Sequence, residues 1–144
     1  MLTLFITMLL VGMSVFVHYE AVYRISTFIN LRANRPRLGV IAGIVLALLA
    51  HIVEIVIFAS GYYGLILAGE YGAIVGEFTP GFSDCVYYSF VTYTTLGLGD
   101  LIPTGPLRFL TGIESLTGLV LIAWTASCIY LQMETLYRKN STSA

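Results

Sequence analysis

Residues 92–100 read TYTTLGLGD: three threonines, two glycines alternating with leucines, and a carboxylate. A hairpin turn would need only one such glycine, and a phosphate-binding loop would want a lysine that does not follow within reach. The stretch offers main-chain oxygens more than side-chain chemistry. Glycine accepts left-handed and mirror-image backbone angles that L side chains resist. Alternating it with a bulky residue lets one side chain in two pack to one side, here Leu96 and Leu98, with Gly97 and Gly99 free to take the demanding angles.

The other reactive side chains stand singly in apolar surroundings. His51 and Glu54 are three apart and share a helix face. His18 and Glu20 occupy a comparable depth in the first apolar segment, and Glu20 is also four residues from Arg24, close enough to pair along one helix. Imidazole titrates near neutral pH, and imidazole with carboxylate suits zinc. A His18, Glu20, His51, Glu54 group is therefore read either as a proton or metal site centred on His18, His51 and Glu54, or as a polar clasp between helices. Glu114 is an acid inside an apolar segment, about 9 Å along its helix, and such acids are functional candidates. It can accept from a hydroxyl such as Ser89 or Thr92, or be a hydrogen-bonded glutamate with no further role.

The elements that must hold these groups follow from composition. The chain has 144 residues, 58% hydrophobic and only 10% charged. Soluble domains carry about a quarter charged residues, so this chain reads as lipid-embedded. Neither a basic tract for nucleic acid nor a phosphate loop, a Ser-His-Asp set or a spaced metal motif is present, and an enzyme is not expected. No cofactor is expected either. Cys85 and Cys128 form no paired motif. Apolar runs give spans near 2–28, 38–66 and 108–135. The first lacks the basic start and small-residue cleavage site of a signal peptide. Residues 83–94 make a helix too short to cross, with Ser83 or Asp84 as its cap. The loop after it reads as re-entrant. The fold class is all-α, with three transmembrane helices and a re-entrant helix and loop. Arg24, Arg32, Arg35 and Arg37 cluster at the first connection, and Arg138 and Lys139 follow the third span. The basic side faces the cytoplasm, which puts the N-terminus outside, the C-terminus in the cytoplasm and the long loop outside. Glu70, Glu77 and Asp84 on that loop could draw cations or form a solvated turret.

TTLGLGD, followed by Pro103, resembles the TTVGYGD signature of potassium channels, and the similarity covers roughly residues 38 to 135. The resemblance implies three parts. Residues 1–37 form an extra N-terminal transmembrane helix and basic connection. Residues 38–137 form a pore module: outer helix 38–66, turret 67–82, pore helix 83–94, filter 95–100 and inner helix 108–135. Residues 138–144 form a short cytoplasmic tail, and no cytoplasmic ligand-binding domain is expected. The implied activity is passive potassium conduction. Potassium is held by Thr95, Leu96, Gly97, Leu98 and Gly99 through main-chain oxygens, with metal sites at Thr95 to Leu98. Partners are membrane lipid, potassium ions and three further copies of the chain, since one loop supplies a quarter of each oxygen ring; nucleic acid is not a partner. Filter support would come from Thr94, Asp100, Tyr87, Tyr88, Val91 and Glu114, with Tyr93 completing a tyrosine cuff. Gly118 would sit where inner helices bend, or serve close packing. Leu119, Ile122, Ala126 and Tyr130 would line the cavity, or pack between subunits. Two departures stand out: Leu98 replaces the filter tyrosine, and Val91 replaces a frequent glutamate, leaving Asp100 free or paired elsewhere. Both loosen the outer filter, so a weakly selective monovalent cation channel and a non-conducting membrane scaffold stay open as alternatives.

Overall fold

A chain in hydrocarbon must satisfy its backbone polar groups internally, and long helices do so residue by residue. The structure, a computed structural model, describes residues 1–32 and 36–141. It runs α1 (Leu2–Leu31), α2 (Pro36–Ala68), β1 (Ile74–Gly76), α3 (Phe82–Tyr93), β2 (Leu101–Pro103) and α4 (Leu107–Ser141). Three helices are long and apolar enough to cross a membrane: Leu2–Leu31, Arg37–Ala68 and Leu107–Thr135. This is an all-α membrane architecture. The 12 residues of α3 reach only about 18 Å, too short to cross. Arg35 and the side chain of Lys139 lie outside the described residues.

Each long helix extends past its expected end. Most visibly, α4 runs on to Ser141, so the segment from residue 138 begins as helix rather than as a separate tail. The expected turret holds a strand instead of only loop. β1 pairs antiparallel with β2, Ile74 opposite Pro103 and Gly76 opposite Leu101. Gly76 lies so close to the opposite chain that a Cβ there would stand 2.1 Å from the Asp100 carbonyl oxygen, and its φ is +131°. Nor does Asp84 cap α3 as expected. Gly81 is the cap residue, while the Asp84 carboxylate accepts from the Thr79 backbone N–H at 2.8 Å, securing the turn that leads in.

The core lies where α3 meets α2 and α4. Phe58, Ala59, Tyr62 and Leu65 pack with Cys85, Tyr88, Tyr93, Leu107 and Leu110, all buried. α1 docks along a seam of Thr3, Thr7, Leu10, Ser14, His18, Ile25 and Ile29. Small residues let membrane helices approach closely, and two glycines of α2 form the holes. Leu10 Cδ1 lies 2.4 Å from where a Cβ on Gly61 would be, and Ile29 Cδ1 2.7 Å from one on Gly43.

Candidate functional site: the loop that follows α3

α3 ends at Tyr93, and its last carbonyls organise the loop that follows. Thr95 N–H donates to the Thr92 carbonyl at 2.9 Å. Leu96 N–H and Gly97 N–H both donate to the Val91 carbonyl, at 3.0 and 3.3 Å. In a trans peptide the N–H and C=O point in opposite directions. The carbonyls of Thr95 and Leu96 are therefore turned away from α3. The backbone alternates: φ is +58° at Thr95, +55° at Gly97 and +81° at Gly99, while Leu96, Leu98 and Asp100 keep ordinary negative values. Such alternation gathers successive N–H groups into a concave nest on one side, here around the Val91 oxygen. Thr95 is the one non-glycine residue with positive φ among the described residues, which marks it as a strained position. Residues 94–100 are exposed, with Leu96 at 62% and Leu98 at 60%. Val91 thus supports the loop through its main chain, a contribution its side-chain type does not reveal.

The cuff of tyrosines has a different form from the one expected. Tyr87 alone holds the loop, its hydroxyl donating to Asp100 Oδ2 at 2.8 Å. Asp100 is therefore paired. Tyr88 instead turns to α4, with its hydroxyl 2.8 Å from Thr111 Oγ1, and its ring meets Tyr62 edge-on at 5.0 Å. Tyr93 reaches toward α2. Thr94 bonds back to the Phe90 carbonyl at 2.8 Å. Behind the loop is a cavity of about 280 Å³ lined by Tyr87, Val91, Thr95, Gly97 and Asp100, with α4 residues closing its far side.

α4 seats α3 with one face. Glu114 is fully buried and accepts from Ser89 Oγ at 2.5 Å and from the Tyr62 hydroxyl at 2.6 Å. Of the two expected hydroxyls, Ser89 is the partner; Thr92 is reached through its carbonyl, which accepts from Ser115 Oγ at 3.1 Å. Gly118, one turn further, meets the end of α3: a Cβ there would lie 2.1 Å from the Tyr93 carbonyl oxygen. The structure thus gives Gly118 a close-packing role. Ile122 and Ala126 line an apolar groove of about 550 Å³ between α2, α4 and the end of α3. Leu119 and Tyr130 lie outside it, 56% and 67% exposed.

A second polar constellation joins all four helices. Glu54 is buried and accepts from His18 Nδ1 at 2.9 Å and His51 Nδ1 at 3.0 Å. The Tyr93 hydroxyl also donates to Glu54. On the far side of the rings, Thr125 Oγ1 is 3.4 Å from His18 Nε2 and 3.1 Å from His51 Nε2. Glu20 does not belong to the group: it pairs with Arg24 at 2.6 Å on the outer side of α1. Glu20 lies two positions from His18, which puts it on another face of the helix. Tyr93 and Thr125 are the members that sequence reasoning missed. They lie 39 and 71 residues from Glu54, with no local spacing to announce them.

A model of the family described as "Ion channel" matches residues 42–134, well over half of the chain. The match starts inside α2 and leaves α1 outside. The inward rectifier potassium channel Kirbac3.1 of Paramagnetospirillum magnetotacticum is 41% identical over 61 residues, which cover 41% of this chain and 21% of that protein. The chain thus spans about a fifth of that relative's length.

Proposed function

This chain belongs to the ion channel family, and from that premise we propose that it conducts potassium passively through a homotetramer. The main-chain oxygens of Thr95, Leu96, Gly97 and Leu98, with Gly99, replace the ion's water. The observation that carries this reading is the alternating backbone of residues 95–99. The Leu96 and Gly97 N–H groups are anchored on the Val91 carbonyl, and the carbonyls of Thr95 and Leu96 face away from α3. Backbone of that kind at membrane depth is tolerated only inside protein or against water. One chain leaves it exposed, so further copies around a shared axis complete it. Carbonyl rings of this sort supply the coordination of a dehydrated cation. The C-terminal end of α3 adds the negative pole of its dipole. α4 suits the innermost position, since only 17% of its spanning window is buried within the chain, leaving surface for neighbouring copies and a cavity. Kirbac3.1 is itself described as a potassium channel.

The charge pattern supports an N-terminus outside and a C-terminus in the cytoplasm. α1, outside the family match, is an added helix clasped to the pore module.

Purified protein in liposomes is expected to pass potassium, with reversal potentials in mixed potassium and sodium following the potassium gradient. Gly97→Ala places a side chain at a φ of +55°, costs about 1–2 kcal/mol in each copy, and should silence the flux. Equal permeability to both ions would reduce the activity to nonselective cation conduction. Silence of the parent protein across voltage would favour a scaffold.

A further inference from the structure

We propose that His18, His51 and Glu54 form a binding site for a divalent transition metal of the zinc class, which locks α1 to the filter-bearing end of α3. The proposal rests on the geometry of this cluster and does not depend on which ion the pore conducts.

The ligand atoms of the three side chains lie within 4.8 Å of one another. Two imidazoles and a carboxylate make a familiar zinc donor set, and a tetrahedral centre asks for metal bonds near 2.0–2.2 Å. The two Nδ1 atoms already converge on the Glu54 carboxylate at 2.9 and 3.0 Å, so small outward movements admit an ion between them. The Tyr93 hydroxyl, 3.0 Å from His51 Nδ1, is a further oxygen beside the three ligands. His18 comes from α1 and His51 and Glu54 from α2, and Tyr93 of α3 bonds to Glu54, so an ion there ties α1 to α2 directly and to α3 through Tyr93.

Proton counting around the rings favours a metal. With the site empty and both imidazoles neutral, the two Nδ1–H groups donate to Glu54 and both Nε2 lone pairs face Thr125. A threonine hydroxyl has one proton to donate and two lone pairs to offer. In that tautomer it satisfies only one of the two rings, and moving the His51 hydrogen to Nε2 satisfies Thr125 but sets the His51 Nδ1 lone pair 3.0 Å from a Glu54 carboxylate oxygen, with only the Tyr93 hydroxyl near it as a donor. With a metal on both Nδ1 atoms, each Nε2 carries a hydrogen. Thr125 Oγ1, at 3.4 and 3.1 Å, can then accept both. Metal-bound histidines typically donate their second ring N–H to such an acceptor. A dication also compensates the buried Glu54 carboxylate. His51 is the partly exposed member and borders the apolar groove beside α4.

The test uses full-length protein in detergent or nanodiscs, stripped with chelator and titrated with cobalt(II) and zinc. One cobalt per chain should bind, with the strong visible bands of four-coordinate geometry, and zinc should displace it. X-ray absorption of the zinc-loaded parent protein should show two imidazoles in the first shell. His51→Gln should abolish the bands. Thr125→Val, which leaves every ligand in place, should weaken zinc binding about 10–100-fold. Glu20→Gln should change nothing. The absorption spectrum needs no variant, so a folding failure of His51→Gln leaves the test intact. Weak six-coordinate bands, a first shell without imidazole, or binding by His51→Gln and Thr125→Val equal to that of the parent overturns the proposal. So does a stripped protein that takes up no metal while its thermal melt shifts with pH alone: the cluster would then be a proton site.

Discussion

Gly118→Ala gives a sharp test of how α4 holds the end of α3. A Cβ built there would lie 2.1 Å from the Tyr93 carbonyl oxygen, 2.9 Å from its carbonyl carbon and 3.0 Å from its Cγ. Two of those three atoms are backbone, so no rotamer change relieves the contact. The end of α3 and α4 must separate by roughly 1 Å to restore ordinary contact. Overpacking of this kind costs about 1–3 kcal/mol per chain. The displaced carbonyl belongs to the last residue of α3, two positions before Thr95, so the backbone of the following loop moves with it. Gly12→Ala is the matched control: a Cβ at Gly12 meets nothing within 4 Å, and replacing a helical glycine by alanine gains about 0.5–1 kcal/mol. The two substitutions are thus expected to have opposite signs in a thermal melt of the purified protein, and Gly118→Ala alone should reduce potassium over sodium selectivity in liposomes. A Gly118→Ala protein as stable and as selective as the parent would refute the close-packing argument. Altered open probability with unchanged stability would point instead to a bending role for Gly118.

Three further outcomes follow from the same contacts. Tyr87→Phe removes the hydrogen bond to Asp100, worth about 1 kcal/mol; conductance should decay faster at low external potassium, measured in planar bilayers. Glu114→Ala leaves Ser89 and Tyr62 without their shared acceptor and opens a cavity, so the melt should show a loss of about 2–4 kcal/mol. Glu114→Gln, which keeps an oxygen and the volume, should lose markedly less. Glu20→Gln breaks an i, i+4 pair on the outer side of α1 and should shift stability by no more than about 0.5 kcal/mol.

Much of this molecule was determined by sequence alone, because its strongest signals are local. Uninterrupted apolar runs force spanning helices through the hydrocarbon's refusal of unpaired peptides. Gly97 and Gly99 announce a left-handed backbone because only glycine takes it without strain. Tertiary structure decided what depends on distant residues meeting. Two three-residue strands are too short to show any alternation, so the pairing of Gly76 with Leu101 was not legible. Spacing grouped Glu20 with His18, yet the docking face of α1 admits His18 and turns Glu20 outward to Arg24. Tyr93 passed for a filter cuff until packing brought it to Glu54. The Val91 carbonyl, on which the loop hangs, carries no side-chain signature at all. Periodicity tells which way a residue faces along its own helix; only the assembled helices fix what it meets.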